Sequence, residues 1–211
     1  YDATVPIPKK IKRAFKATGT EVMISVALPD QTSQNLLYAG LPTNILMGIS
    51  FSINAPFDLN TVRTEIQKGH WNDWLWKRIS EFVAELLIHL LENNPTVAWY
   101  FNPIQDELNV EGDSSVTDWL KDMHGFINNT MRRRGVVKVQ GVKTSLNQLS
   151  YEVSTLEGLL LPEDYKLLTN GKTMLPQEVR DSRDRWRAVL DDQEIATCIN
   201  VIDAVNLFSD K

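Results

Sequence analysis

The feature that most constrains this fold is a long apolar stripe over residues 72–92, NDWLWKRISEFVAELLIHLLE. Apolar residues recur there at spacings of three and four, which is typical of an amphipathic helix with one buried face. The members of the stripe are Leu75, Ile79, Phe82, Val83, Leu86, Leu87 and Leu90. A helix of this size is roughly 31 Å long, because each residue adds about 1.5 Å. It can cross a β-sheet, and we predict that it covers one.

The segments before this helix have the pattern of β-strands. In residues 45–57, apolar side chains alternate with Ser50, Ser52 and Asn54, which is typical of a half-buried strand. The same alternation places Val22, Ile24 and Val26 on one face of a second strand, and we expect Pro42 to end a third. The predicted strands are 19–29, 36–42 and 45–57, after an edge strand or arm over 4–19. A second helix is predicted over residues 115–131.

The character of the chain changes after Arg132-Arg133-Arg134. Residues 136–145 have the pattern of a short β-hairpin. Three helical patterns follow, over residues 146–160, 175–190 and 195–208, with a loop over 161–174. We therefore predict an α+β protein: a mixed β-sheet covered by a long amphipathic helix in residues 1–134, followed by a small helix-rich unit in residues 135–211.

Composition excludes several functional classes. The net charge is −5 and the pI about 5.3, so no global basic field attracts nucleic acid. The only cysteine is Cys198, which rules out an internal disulfide framework and fits a reducing compartment. The longest apolar run, residues 86–91, is far shorter than the roughly 20 residues of a membrane span. Because the chain starts at Tyr1 without a leader-like segment, we interpret it as a fragment of a longer, cytoplasmic protein.

Motifs that carry catalysis on their own are missing from the sequence. It contains no phosphate-binding G-x-x-x-x-G-K-[ST] loop, no G-x-G-x-x-G, no H-E-x-x-H and no G-x-S-x-G. The three histidines, His70, His89 and His124, are far apart and show no metal-ligand spacing. We therefore expect no metal site and no cofactor site in this chain, and no catalysis by this chain alone.

Two basic segments and a tryptophan cluster leave alternatives open. The first basic segment, residues 8–16, could contact phosphates while Phe15 stacks on a base. A solvated edge strand protected by its lysines is favoured instead. The basic residues of this segment are Lys9, Lys10, Lys12, Arg13 and Lys16. The second, residues 131–135, is interpreted as a charged linker between domains. Trp71, Trp74 and Trp76 cannot all face one core, so at least one should lie at an interface.

One part of the sequence resembles a known family. The motifs that carry the resemblance are Leu41-Pro42, Asn54-Ala55, Arg63 and Trp71-Asn72. Their order along the chain is similar to that in sacsin-like proteins, which carry an ATPase region of the ninety-kilodalton heat-shock chaperone (GHKL) type. The resemblance covers residues 25 to about 92 and is looser beyond them. It implies that the chain follows the nucleotide-binding domain, in the transducer or middle region.

The resemblance also implies a role for the turn that carries Arg63. In such chaperones, a loop of this region sends an arginine to the γ-phosphate of ATP bound by the preceding domain. Arg63 stands at that place and Gln67 at the place of a supporting glutamine, whereas Thr64 stands where an acidic residue is expected, with Glu65 one place later. ATP and Mg²⁺ would be bound by the parent protein, not by this fragment.

Three functions are therefore compared. The first is a coupling segment that transmits the nucleotide state to a protein client or partner domain and supplies Arg63 in cis to the upstream nucleotide-binding domain, in a parent that could form homo-oligomers. The second is a protein-interaction module without a nucleotide role, which uses the tryptophan-rich helix and the helical tail. The alternative for Arg63 itself is an arginine near the start of a surface helix, paired with Glu65 or Asp58. The third, nucleic-acid binding through the first basic segment, is disfavoured by the overall acidity.

Overall fold

The computed structural model describes residues 1–15, 19–28, 36–108, 114–180 and 185–209. It is an α+β protein with a mixed β-sheet and a long helix, as the sequence predicted. The chain divides into two compact units. Unit 1 comprises residues 1–87 and 101–127, and unit 2 comprises residues 88–100 and 128–211. The predicted division into domains 1–134 and 135–211 stays a prediction.

Unit 1 contains a five-stranded sheet in the order β1-β2-β5-β3-β4. Its strands are β1 (Asp2–Pro6), β2 (Glu21–Ala27), β3 (Leu36–Ala39), β4 (Leu41–Leu46) and β5 (Ser52–Asn54). The β3–β5 pair is parallel and the other pairs are antiparallel. The predicted inner face of β2 is confirmed, because Val22, Ile24 and Val26 are all buried.

Two strand predictions in unit 1 are wrong in their bounds. Pro42 does not end a strand, because the chain turns at Gly40 (φ 74°) and Pro42 lies within β4 at the edge of the sheet. An edge position tolerates proline, since its missing N–H can face outward. The predicted strand over 45–57 is also interrupted: β4 ends at Leu46, and bends around Gly48 (φ 61°) separate it from β5.

The helices predicted for the first part of the chain are confirmed. Helix α2 (His70–Asn93) contains the whole apolar stripe, and its Leu75, Ile79 and Leu87 are almost completely buried. Before it lies the short helix α1 (Lys9–Phe15); after it come α3 (Pro95–Phe101) and α4 (Ser114–Arg134). No described helix is both long and apolar enough to cross a membrane.

Both interpretations of the basic segments need correction. The first segment lies on α1 rather than on an edge strand, with Lys9 and Lys10 exposed; Lys16 lies outside the described residues. The three consecutive arginines form the last turn of α4 rather than a linker. Cations at a helix C-terminus are stabilised by the helix dipole. In addition, Arg132 donates to the carbonyl oxygen of Gln193 at 2.6 Å.

Unit 2 contains a sheet that the sequence did not predict. Its parallel strands are β8 (Leu149–Glu152), β9 (Thr173–Met174) and β10 (Thr197–Ile199), in the order β10-β8-β9. The predicted hairpin is confirmed as β6 (Val136–Val139) and β7 (Val142–Ser145). The remaining helices are α5 (Pro162–Leu168), α6 (Arg185–Gln193) and α7 (Val201–Ser209).

The helical predictions in this unit are therefore only partly right. Residues 146–160 form β8 between one-turn 3-10 helices, and the predicted loop over 161–174 contains α5. The pattern over 195–208 divides into β10 and α7. The pattern over 175–190 contains the start of α6, but residues 181–184 lie outside the described part of the chain.

Candidate functional site: the Arg63 loop

The candidate site is a hairpin-like loop over residues 58–67, here called the Arg63 loop, and its base is held by Asn72. This side chain is 1% exposed. Its Oδ1 accepts from the Asp58 N–H at 3.0 Å, and its Nδ2 donates to the carbonyl oxygens of Asp58 and Gln67 at 2.8 and 2.7 Å. The neighbouring Trp71 donates from Nε1 to the Pro56 carbonyl oxygen at 2.8 Å. The Trp-Asn pair that opens α2 therefore fixes the base of the loop.

Asn60 organises the interior of the loop. Its Oδ1 accepts from the Thr64 N–H at 2.9 Å, and its Nδ2 donates to the Thr64 hydroxyl oxygen at 3.0 Å. Its own N–H donates to the Glu65 carbonyl oxygen at 3.0 Å. An isolated antiparallel bridge joins Leu59 to Ile66, and the Ile66 side chain is buried. Asparagine suits this position, because its short amide can bond to backbone groups a few residues away.

Arg63 lies at the tip in a left-handed backbone conformation, with φ 59°. Its N–H donates to the Asn60 carbonyl oxygen at 3.1 Å, which closes a tight turn. A residue with a Cβ atom in this conformation costs on the order of 1–2 kcal/mol, and such residues concentrate at functional sites. The sequence of the loop therefore keeps an arginine where glycine would be less strained.

The Arg63 side chain reaches the turn between β3 and β4. Its Nη2 donates to the carbonyl oxygens of Ala39 and Leu41, at 3.1 and 3.0 Å. Its Nε is buried and makes no hydrogen bond within the described structure. The Arg63 carbonyl oxygen also accepts from the Asn44 N–H at 3.4 Å, so the tip of the loop rests on β4. The partners of this guanidinium are thus neutral main-chain carbonyls.

The surroundings of Arg63 differ from the alternative in which it pairs with Glu65 or Asp58 near the start of a surface helix. Neither the Glu65 nor the Asp58 carboxylate pairs with Arg63; an oxygen of Glu65 instead accepts from Asn60 Nδ2 at 3.3 Å. Helix α2 begins only at His70, so Arg63 does not lie near a helix start. Gln67 belongs to the base of the same loop through its main chain, and its side chain is exposed.

The other candidate residues are not brought together. His70 begins α2, His89 lies near its end, and His124 is buried in α4. Among the described residues, no group of three or more His, Cys, Asp or Glu side chains could hold a metal ion. Two of the three clustered tryptophans, Trp71 and Trp76, are buried, whereas Trp74 is half-buried.

Sequence reasoning missed a buried ion pair in unit 2. Arg180 donates from Nη1 and Nη2 to the two carboxylate oxygens of Glu152, at 3.1 and 3.3 Å, and both side chains are almost fully buried. The Tyr165 hydroxyl donates to the same carboxylate. The Arg180 guanidinium also lies 4.9 Å from the centroid of the Trp186 ring. The partners are 28 residues apart, so no local spacing could have revealed them.

The electrostatics of this pair follow from its contacts. Burial alone would raise the pKa of Glu152, but hydrogen bonds from Tyr165 and Arg180, together with the Arg180 charge, hold that pKa below 4.5. Its own burial, together with the hydrogen bond to Glu152, raises the pKa of Tyr165 above its ordinary value. Glu152 is therefore ionised in the folded protein at neutral pH, and unit 2 contains a hydrogen-bonded ion pair rather than a free acid and base.

No family model, no curated protein and no solved structure matched the chain.

Proposed function

We propose that this chain is the coupling segment of a multidomain ATPase of the heat-shock-chaperone (GHKL) type. In this proposal, an upstream nucleotide-binding domain of the same polypeptide holds ATP, and Arg63 contacts its γ-phosphate. The observation that carries the proposal is the Arg63 loop itself, which has a rigid base and a strained arginine at its tip. The partners of that arginine are neutral carbonyls rather than a carboxylate.

The chemistry of phosphoryl transfer explains why such an arginine is useful. Negative charge spreads over the equatorial oxygens of the γ-phosphoryl group in the transition state. A guanidinium is permanently charged and can donate two parallel hydrogen bonds to such oxygens. Hydrogen bonds between charged groups are stronger than those to neutral carbonyls, so exchanging Ala39 and Leu41 for a phosphate favours the phosphate-bound position.

The base of the loop determines how that exchange could occur. Asn72 and the Leu59–Ile66 bridge hold both ends, while the hydrogen bonds of the tip are exposed to solvent in part. Solvent-exposed hydrogen bonds in a short loop open at a low free-energy cost. A tip of this kind completes a site only when a neighbouring domain closes on it, which couples the chemistry to domain position.

In this proposal, ATP is the substrate of the parent protein, and Mg²⁺ is the counter-ion of the bound ATP. Arg63 fits a phosphate, because it is a cation without an anionic partner among the described residues. The metal ligands and the general base are assigned to the upstream domain. The state of the nucleotide would then be transmitted to a protein client or partner domain, and we propose the cytoplasm as the location.

The decisive experiment is steady-state ATP hydrolysis by the full-length parent with Arg63→Ala, Arg63→Lys and the wild-type arginine. We expect kcat to fall tenfold or more in both variants, which corresponds to a rise of about 1.4 kcal/mol or more in the activation barrier, while ATP affinity changes little. Lysine keeps the charge but loses the bidentate donors, so it should not restore the wild-type rate. ATP affinity is measured in parallel by titration calorimetry.

The matched control is Arg133→Ala, since Arg133 is an exposed arginine in the last turn of α4. It should leave kcat unchanged. Circular dichroism and thermal unfolding check that the Arg63 variants remain folded, because Arg63 also supports the β3–β4 turn. A folded Arg63→Ala parent with wild-type kcat would contradict the proposal and favour a protein-interaction module.

A further inference from the structure

A cleft of about 370 Å³ lies between helices α2 and α4 within unit 1. The α2 residues on its wall are spaced by three and four, as are those of α4, so each helix contributes one face. The lining residues are Asp73, Trp76, Lys77, Ser80, Trp119, Asp122 and Phe126. This volume lies within the range of sites that bind small ligands or single side chains.

Aromatic rings form one wall of the cleft. The rings of Trp76 and Trp119 lie 5.5 Å apart between centroids, tilted by 37°. Phe57 also packs against Trp76, with 5.4 Å between ring centroids. Trp76 is only 2% exposed, whereas Phe126, which also lines the cleft, is 39% exposed. The negative π-face that a ligand can reach therefore belongs to the partly exposed rings of Trp119 and Phe126, and the buried Trp76 holds Trp119 in place.

Charged side chains surround this aromatic wall. Asp73 and Asp122 are exposed carboxylates, and Lys77 is an exposed ammonium, so the lining has a formal charge of −1. None of these three side chains makes an ion pair or a hydrogen bond among the described residues. Two unengaged carboxylates beside a partly exposed indole ring, that of Trp119, favour a cation and disfavour an anion.

We propose that this cleft binds an arginine side chain presented by a partner protein. A guanidinium can stack on an indole ring while it donates hydrogen bonds to carboxylates, which a purely apolar side chain cannot do. Asp73 and Asp122 would accept those bonds, and the half-buried Trp119 would contact the face of the guanidinium, with the buried Trp76 packed against Trp119. Lys77 opposes the cation and therefore limits affinity. This inference does not rest on the ATPase role of Arg63.

The test uses N-acetyl-arginine amide as a probe, with N-acetyl-citrulline amide as its neutral analogue of the same shape. The purified chain is labelled with ¹⁵N, and the indole N–H resonances are followed as each probe is added up to about 50 mM, because a single side chain is expected to bind in the millimolar range. The resonances of Trp76 and Trp119, assigned through Trp→Phe variants, should shift with the arginine probe and not with the citrulline probe.

Charge variants make the test specific. Asp73→Asn and Asp122→Asn should each weaken binding of the arginine probe by about threefold or more, and Lys77→Gln should strengthen it by about twofold. Asp118→Asn is the matched control, because Asp118 is an exposed aspartate of α4 that does not line the cleft. It should leave binding unchanged.

Three results would overturn the inference. Equal shifts with both probes would show that charge is not recognised and that an apolar occupant fits better. No shift with either probe would remove the cleft as a site for a basic side chain. Loss of binding in Asp118→Asn to the same extent as in Asp122→Asn would indicate a general effect of charge on the helix surface.

Discussion

Asn72 shows how one side chain can determine the shape of a whole loop. All three hydrogen bonds of its amide go to main-chain groups of Asp58 and Gln67, and the residue is buried. Removing it leaves the Asp58 N–H and the Gln67 carbonyl without this partner, whereas the Asp58 carbonyl keeps its hydrogen bond from the Gln67 N–H. We therefore expect Asn72→Ala to lower the free energy of unfolding by about 2–4 kcal/mol, measured by urea denaturation followed by circular dichroism.

Asn60→Ala is the matched control in the same loop. Its amide also bonds to the backbone, but those hydrogen bonds are exposed, so water can replace them. The loss should be about 1 kcal/mol or less. Equal losses in the two variants would mean that the base of the Arg63 loop is no more tightly held than its tip. That result would also weaken the argument for a loop with a fixed base.

At the level of elements, two glycines, one in the middle of α4 and one directly after its end, differ in the space available for a side chain. A Cβ atom at Gly135 would lie 2.5 Å from the Met131 carbonyl oxygen and 2.7 Å from Leu146 Cδ1. A Cβ atom at Gly125 would meet nothing within 4 Å, and that position is an exposed helix interior. The same substitution should therefore change stability in opposite directions.

We expect Gly135→Ala to destabilise the protein by about 1–3 kcal/mol, through overpacking where α4 leads into β6. Gly125→Ala should stabilise it by about 0.5–1 kcal/mol, since alanine has the higher helix propensity. Thermal unfolding of both variants under one condition checks the two signs. A shift of the midpoint in the same direction for both would contradict the packing at Gly135.

The elements also show what the sequence can and cannot predict. Helix α2 was predictable because its apolar stripe keeps one period from Leu75 to Leu90. Strand β8 was not, because all four of its residues are buried and no alternation distinguishes it from a helix. The interruption near Gly48 was hidden because Ile49, Phe51 and Ile53 are buried as a continuous strand would require.

The candidate site was predictable only in part for a similar reason. The order of Arg63 and the Trp-Asn pair along the chain, together with a family resemblance, indicated this region as a site. Their connection was not visible, because Asn72 bonds to a residue 14 positions away. The contact of Arg63 with Ala39 spans 24 positions and depends on how β3 turns into β4. Such contacts follow from tertiary structure rather than from any local pattern.

For the molecule as a whole, stability at acid pH is a further consequence of the Glu152–Arg180 pair. A carboxylate whose folded pKa lies below its unfolded value stabilises the protein fully above the unfolded pKa, and this stabilisation is lost as the pH falls through the folded pKa. The unfolded value for Glu152 is about 4.5. Its contribution should therefore be constant from pH 7 to about 5 and decline below about 4.5.

The variant that isolates this contribution is Glu152→Gln. Near neutral pH it should be less stable than wild type by about 3–5 kcal/mol, because Arg180 is left as a buried cation without an anionic partner of equal strength. The difference should shrink as the pH falls below about 4.5, where wild-type Glu152 begins to gain a proton. Urea denaturation between pH 7 and pH 3 measures it directly.

The net charge of the molecule supplies the necessary control. With 27 acidic and 22 basic side chains, the protein turns from net negative to net positive as the pH falls through its pI of about 5.3. Repulsion among these charges affects wild type and Glu152→Gln almost equally, so it cancels in the difference between them. A difference that stays constant down to pH 3 would mean that Glu152 has no depressed pKa and that the pair stabilises by packing alone.

The salt dependence of stability distinguishes the buried Glu152–Arg180 ion pair from an ion pair on the surface. Glu92 accepts from Lys143 at 2.6 Å, and this hydrogen bond lowers the pKa of Glu92, but the lysine is largely exposed. Salt screens the interaction of exposed charges over a Debye length that shortens from about 10 Å at 0.1 M to about 3 Å at 1 M, and it screens buried charges much less. Any acid-dependent difference for Glu92→Gln should therefore be small and vanish at about 1 M NaCl. The difference for Glu152→Gln should persist there, because water and ions do not reach its carboxylate.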